Sequence, residues 1–235
     1  MGNRASINDW SKQIPFLSKK YKVITANNRT HGRSYDSDKE ITYSLMASDY
    51  NELLNKLNLD SVYVFGWSDG GIIGLDLAMN YPTKVKKLIV SGANFKHGTS
   101  AIPLELIKII EDLKKTPFDN LPKMYRDAYT VLTPQPERAP IVFNKLTDLM
   151  LKYPDYSIKD ISRIEVPTLV VAEDNDLIRE EHTIKLFHSI PHSELLILPG
   201  TSHLTIWEKP DLVNQIVDWF LSTPYKDMDR FYFLK

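Results

Sequence analysis

Five short runs rich in β-branched residues recur along the chain, at Tyr21–Thr25, Val62–Phe65, Lys87–Ser91, Thr168–Ala172 and Glu194–Leu198. Stretches of helical periodicity separate them, at about Ala5–Leu17, Leu45–Asn58, Gly70–Tyr81, Arg179–Ser189 and Pro210–Leu221. Strands that alternate with helices form a parallel sheet with helices on both faces, so the pattern predicts an α/β fold. Proline placement supports two of the helix boundaries: Pro82 ends the third helix, and Pro210 stands where a first turn tolerates a missing N–H. A length of 235 residues suits one domain with room for an insertion.

The insertion is visible as a break in the alternation. From about Phe95 to Glu165 no strand pattern appears, only helical segments such as "IPLELIKIIEDLKK", punctuated by Pro117, Pro122, Pro134 and Pro136. The expected division is therefore a core of residues 1–95 and 166–222, a helical insertion at 96–165, and a tail at 223–235. An insertion there lies at the carboxyl ends of the strands, where open α/β sheets bind ligands, so it is placed to roof a site. Tyr125, Tyr129, Phe143 and Met150 are its candidate pocket-lining residues, with Trp67 from the core; the competing reading makes the four its own small core.

The second run leads directly into "GWSDGG". Gly66-Trp67-Ser68-Asp69-Gly70 matches G-x-S-x-G between an expected strand and an expected helix, the context of a nucleophile elbow. The turn is strained, and its flanking glycines remove side chains that would collide with it. The serine then projects at a helix N-terminus, where unpaired N–H groups and the helix dipole favour a developing oxyanion.

A serine hydroxyl needs a base, and the base needs an orienting group. Of six histidines, His182 and His188 fall in a helical pattern and His192 precedes a strand, which suits surface or helix-end positions. His97 opens the insertion, and His31 suits a structural role in its loop. His203 follows the last strand and so shares the strand-end face with Ser68. The orienting acid is sought in "TLVVAEDNDLI", where Asp176 and Asp174 compete and Glu173 ranks third. The chain order Ser, Asp, His, each just beyond a strand, is the strongest functional signal.

Other chemistries are poorly supported. The 29 basic and 30 acidic residues leave a net charge of -1, which gives no electrostatic footprint for nucleic acid or an anionic membrane. No apolar run approaches the roughly 18 residues of a membrane span, and residues 1 to 20 are too polar for a signal peptide, so a cytoplasmic protein is expected. With no cysteine, the chain has no disulfide, thiolate metal site or cysteine nucleophile. The reading requires neither cofactor nor metal, and the expected partner is a small molecule.

The sequence from about Ala5 to Leu221 resembles the α/β-hydrolase superfamily. A family pattern D-x-R-G-H-G-x-S appears as Asn27-Asn28-Arg29-Thr30-His31-Gly32-Arg33-Ser34, with two departures, and "GWSDGG" followed by "LIVSGAN" is similar to the valacyclovir hydrolase and small-ester hydrolase branch. That resemblance implies Ser68 as nucleophile, His203 as base and Asp176 as acid, with a helical lid. The family's acid motif is G-x-x-D; Glu173 stands in the glycine place, which favours Asp176 over Asp174. It also implies that the Asp69 N–H serves the oxyanion hole; from its own position beside Ser68 at a helix start, the Asp69 carboxylate is expected either to cap the helix or to select cationic substrates.

Cleavage of an ester, thioester or amide is the implied reaction, with hydrolysis of a diketone C–C bond as an alternative. The opening "MGNRASINDW" resembles sequence that follows the family's third strand and H-G-G oxyanion loop, so the fold is expected to be shortened at its N-terminus. Either two inner sheet edges are then unpaired, or the Tyr21 strand pairs directly with the Val62 strand. A chain lacking that oxyanion donor could instead bind a ligand without efficient turnover. In the tail, Phe231, Tyr232, Phe233 and Leu234 form an apolar cluster suited to covering a sheet edge, binding a neighbour or packing on its own domain.

Overall fold

The structure is a computed structural model that describes residues 6–228 and residue 231. The helices are α1 (Ile14–Leu17), α2 (Tyr43–Lys56), α3 (Asp69–Asn80), α4 (Leu104–Lys115), α5 (Lys123–Thr130), α6 (Ala139–Lys152), α7 (Ile158–Ile161), α8 (Glu180–Ser189), α9 (Thr205–Glu208) and α10 (Pro210–Ser222). The strands are β1 (Val62–Trp67), β2 (Val85–Ser91), β3 (Thr168–Asn175) and β4 (Ser193–Ser202). Among the described residues they form one parallel sheet in the order β1-β2-β3-β4. None of the helices is long and apolar enough to cross a membrane.

Successive side chains on a strand point to opposite faces, and this alternation builds two cores. Leu88, Val90 and Val170 join the core that α2, α3 and α8 cover, whereas Ile89, Leu169 and Val171 join the one that α10 covers. The strands are apolar on both faces because both are buried, as parallel sheets require.

The long segment between β2 and β3 carries α4, α5, α6 and α7. Its ends are stitched together by an antiparallel bridge between Lys96 and Asp155, reinforced by their ion pair, and by Tyr156 N–H donating to Phe95 O at 3.0 Å. Arg138 and Lys145 bind Asp36 in the core at 2.6 and 3.1 Å.

Two expected elements differ. The Ala5–Leu17 helix is a 3-10 turn, Ile7–Trp10, followed by α1. Ser6 and Asp9 form a capping box that fixes the first turn, and Pro15 lacks the N–H that would continue a helix through it. Tyr21–Thr25 is not a strand: Tyr21 lies in a bend, and residues 22–25 have no regular secondary structure and pair in no ladder among the described residues. A strand forms only when a second backbone lies within about 4.8 Å. Here a cavity of about 390 Å³ intervenes, bounded on one side by Val23 and Ile24 and on the other by Val62 and Val64. Side chains border the gap: the rings of Tyr21 and Tyr63 meet edge to face at 6.1 Å, and Trp10, from the 3-10 turn, meets Phe65 in the same way at 4.9 Å. The two segments do not close ranks.

The tail beyond α10 is described to Met228, and Phe231 is exposed. Tyr232, Phe233 and Leu234 lie outside the described residues, as do Met1–Ala5.

Candidate active site

β1 ends at Trp67 and α3 starts at Asp69, which leaves Ser68 alone to turn the chain. Its φ of 55° and ψ of -127° are costly for a residue with a side chain. The surroundings hold it there: Ser68 N–H donates to Ser91 O at 2.8 Å, and Gly71 N–H donates to Ser68 O at 2.8 Å. A Cβ on Gly66 would lie 2.2 Å from Gly70 O, so the turn closes only without one.

Ser68 Oγ lies 3.0 Å from His203 Nε2, and His203 Nδ1 lies 2.6 Å from Asp176 Oδ1. The three residues come from the ends of β1, β4 and β3, so the shared strand-end face brings them together across 135 residues. Asp174 faces elsewhere. Its carboxylate accepts from Gly200 and Thr201 N–H at 2.8 and 3.1 Å, which holds its pKa below the usual carboxylate range and fixes the chain just before His203. A register shift between Glu173 and Asn175 separates the two aspartates. Glu208 completes the loop by accepting from Ser202 N–H and Oγ–H at 2.7 and 2.6 Å.

Asp69 is buried and its Oδ1 accepts from Tyr43 OH at 2.9 Å; burial raises its pKa, against the lowering effect of that bond. Its side chain therefore faces inward, while the N–H groups of the first turn of α3 stand at the elbow.

The expected pocket residues separate. Trp67 is buried in the α10-side core and its indole N–H donates to His203 O at 2.7 Å. Tyr129 and Phe143 are buried in the other core with ring centroids 5.8 Å apart, and Phe118 meets Phe143 at 5.9 Å. Tyr125 packs partly buried against that core, and Met150 on α6 is half-buried.

His182 stands in the first turn of α8, a helix-end position as one of the two alternatives had it, but it is buried rather than at the surface. Its Nε2 accepts from Phe95 N–H at 3.0 Å, its Nδ1 bonds Ser100 O at 3.1 Å, and its ring stacks on Phe95; burial pushes its pKa down to about 4. A neutral imidazole thus pins the start of the helical segment. His31 holds its own loop, as expected, through Nδ1 and Arg29 O at 3.0 Å, and burial lowers its pKa to about 4. Arg29 forms a two-pronged contact with Asp49 at 2.7 and 2.5 Å.

Of two further neighbours of the site, Gly92 was not singled out from sequence and Glu173 was weighed only as the third candidate for the acid. Gly92, at φ +57°, sits where a Cβ would come within 2.8 Å of the His203 ring. The signal was its position, a glycine directly after a strand on the same face as Ser68. Glu173 is buried, accepts from Ser91 Oγ–H at 3.3 Å, and lies against Asp176. Burial, then the charge of Asp176, pushes its carboxyl up to about 9, so it is a neutral acid at pH 7. Glu173, Asp176 and His203 offer polar atoms within 4.8 Å of one another. Both ring nitrogens of His203 are already engaged, so the grouping is not assigned to a metal.

Comparison with known proteins agrees with this architecture. A putative carbamate hydrolase, RutD of Agrobacterium fabrum, is 26% identical over 227 residues, covering 90% of this chain and 87% of its own. The human serine hydrolase BPHL is 25% identical over 224 residues, covering 91% and 74%. The crystal structure of MGS-M2, an α/β hydrolase from a Medee basin deep-sea metagenome library, superposes with a TM-score of 0.78 at 21% identity, covering 97% of this chain and 89% of that one. The model of the alpha/beta hydrolase fold matches residues 2–135, more than half of the chain. A strand-mounted serine inside this sheet and this set of relatives has one family to belong to: the chain is a member of the α/β hydrolase family, and it is a hydrolase.

Proposed function

We propose that the chain cleaves a small-molecule carboxylic ester or amide through an acyl-enzyme. The observation that carries this reading is the continuous hydrogen-bonded path from Ser68 through His203 to Asp176, mounted on a strained turn. Ser68 Oγ attacks the carbonyl carbon as His203 Nε2 takes its proton, and the imidazolium formed is stabilised by Asp176. The negative charge that develops on the carbonyl oxygen is met by the Asp69 N–H at the start of α3. His203 then returns the proton to the leaving group and activates the water that clears the acyl group from Ser68. The helical segment 96–165 roofs the site and admits the substrate, and Trp67 serves the reaction by holding the base. A relative named as a carbamate hydrolase and one named as a serine hydrolase support chemistry of this acyl-transfer kind.

The test is hydrolysis of short-chain nitrophenyl esters by wild type and Ser68→Ala, with fluorophosphonate labelling read by intact-protein mass. Hydrolysis and labelling are expected for wild type alone. Equal hydrolysis by both proteins overturns the reading, and a wild type that neither turns over nor labels supports ligand binding without turnover.

A further inference from the structure

Glu173 breaks the pattern that the acid loop otherwise follows, and the structure shows what it does there. The residue ends the buried part of β3 and its side chain points into the site, toward Asp176. Asp176 Oδ1 is committed to His203, whereas its Oδ2 is buried and has no hydrogen-bond partner among the described residues, and Glu173 Oε2 is in the same position. Two buried carboxyl oxygens left over on adjacent side chains are costly if both groups are charged. They satisfy each other if one proton is shared between them.

We propose that Glu173 is a positioning residue for the acid: it holds a proton, donates it to Asp176 Oδ2, and so presents Oδ1 to His203 in a fixed orientation. The proposal rests on the triad reading of Ser68, His203 and Asp176. The surrounding charges agree with a neutral Glu173. From β2 it meets the Ser91 hydroxyl, from the loop after β3 the Asp176 carboxylate, and from α9 the negative Glu208, whose field also disfavours a second charge; Asp69, from α3, is turned to Tyr43 instead. Among the described residues, no lysine or arginine is one of the leading influences on Glu173. Burial and these neighbours together place its ionisation near pH 9. Above that pH a second negative charge stands behind Asp176, the shared proton is gone, and the carboxylate is pushed out of register with the imidazole.

The proposal therefore predicts an alkaline limb that belongs to Glu173. The kcat/KM of wild type toward p-nitrophenyl butyrate is expected to fall about tenfold per pH unit above pH 9. Glu173→Gln, which donates an N–H in place of the carboxyl proton and never ionises, is expected to match wild type at pH 7.5 and to lack that fall. Glu173→Leu leaves Asp176 Oδ2 without a donor and is expected to lose about tenfold in kcat with KM little changed.

Infrared spectroscopy gives a second readout that does not depend on turnover. The C=O band of a protonated carboxylic acid is expected at pH 7.5 in wild type and in Ser68→Ala, absent in Glu173→Gln, and lost in wild type as pH passes 9. The same alkaline fall in Glu173→Gln, or an acid band that survives the substitution, overturns the assignment. If Ser68→Ala hydrolyses as fast as wild type, the triad reading fails instead, and the infrared band still decides whether Glu173 carries a proton.

Discussion

The indole N–H of Trp67 donates to the backbone carbonyl of His203 at 2.7 Å, tying the residue before the elbow to the residue that faces Ser68. Its ring is buried on the far side of the sheet from α3, against Trp207 at 5.1 Å. Trp67→Phe keeps most of that packing and removes the bond. The expected loss is about fivefold in kcat, the equivalent of one hydrogen bond of about 1 kcal/mol, with KM unchanged. Steady-state kinetics on a nitrophenyl ester checks this; a change confined to KM would show that Trp67 contacts substrate.

The two aspartates of the acid loop have separable tasks. Asp176→Asn keeps the shape but disturbs the tautomer of His203, and a loss of about a thousandfold or more in kcat is expected. Asp174→Asn loosens the grip on the Gly200 and Thr201 amides, with a small loss of stability and little change in kcat expected. Measuring both variants in the same assay and the same urea titration decides between the tasks. Equal kinetic losses would sink the division of labour.

Much of this layout can be read from the chain because burial on both sides forces strands such as "TLVV" and "LIVS" to be continuously apolar and β-branched, and because Gly66 and Gly70 mark the sharpest turn. What sequence could not supply is anything that depends on a partner. Tyr21–Thr25 has the composition of a strand, but a ladder needs a second backbone beside it, and the neighbouring space is a cavity. Asp174 and Asp176 differ by two positions, and only the register shift after Glu173 turns one to a backbone and the other to His203. Aromatic character marked Tyr129 and Phe143 as functional or structural without distinguishing them; their mutual packing came from the fold.

Asp36 anchors the helical segment to the core through Arg138 and Lys145, and its side chain is only 2% exposed. Burial on its own raises the Asp36 pKa, but the bonds from Arg138 and Lys145 outweigh it, and the net direction is down. A carboxylate depressed in the folded state adds stability above its unfolded pKa of about 4 and loses it as pH falls through the folded value. Asp36→Asn is therefore expected to cost about 1–3 kcal/mol at pH 7, less than a fully buried pair because both cations are partly exposed. Urea unfolding at pH 7 and at pH 3 should show the gap to wild type narrowing at the lower pH. A gap of equal size at both would mean that the ion pairs contribute nothing.

Among the described residues, the cavity between Val23–Ile24 and Val62–Val64 leaves one flank of β1 without a ladder partner, whereas β3 is paired on both sides. Amides without ladder bonds open without unfolding the domain, so their exchange reports local rather than global stability. Native-state hydrogen exchange is expected to be fast across residues 22–26 and slow across Leu169–Ala172, where exchange should require global unfolding. Peptide-level mass spectrometry resolves the two regions, and at least a hundredfold difference in protection is expected, about 3 kcal/mol. Equal protection in the two regions would show that residues 22–26 are bonded in solution, and that the sheet continues past β1.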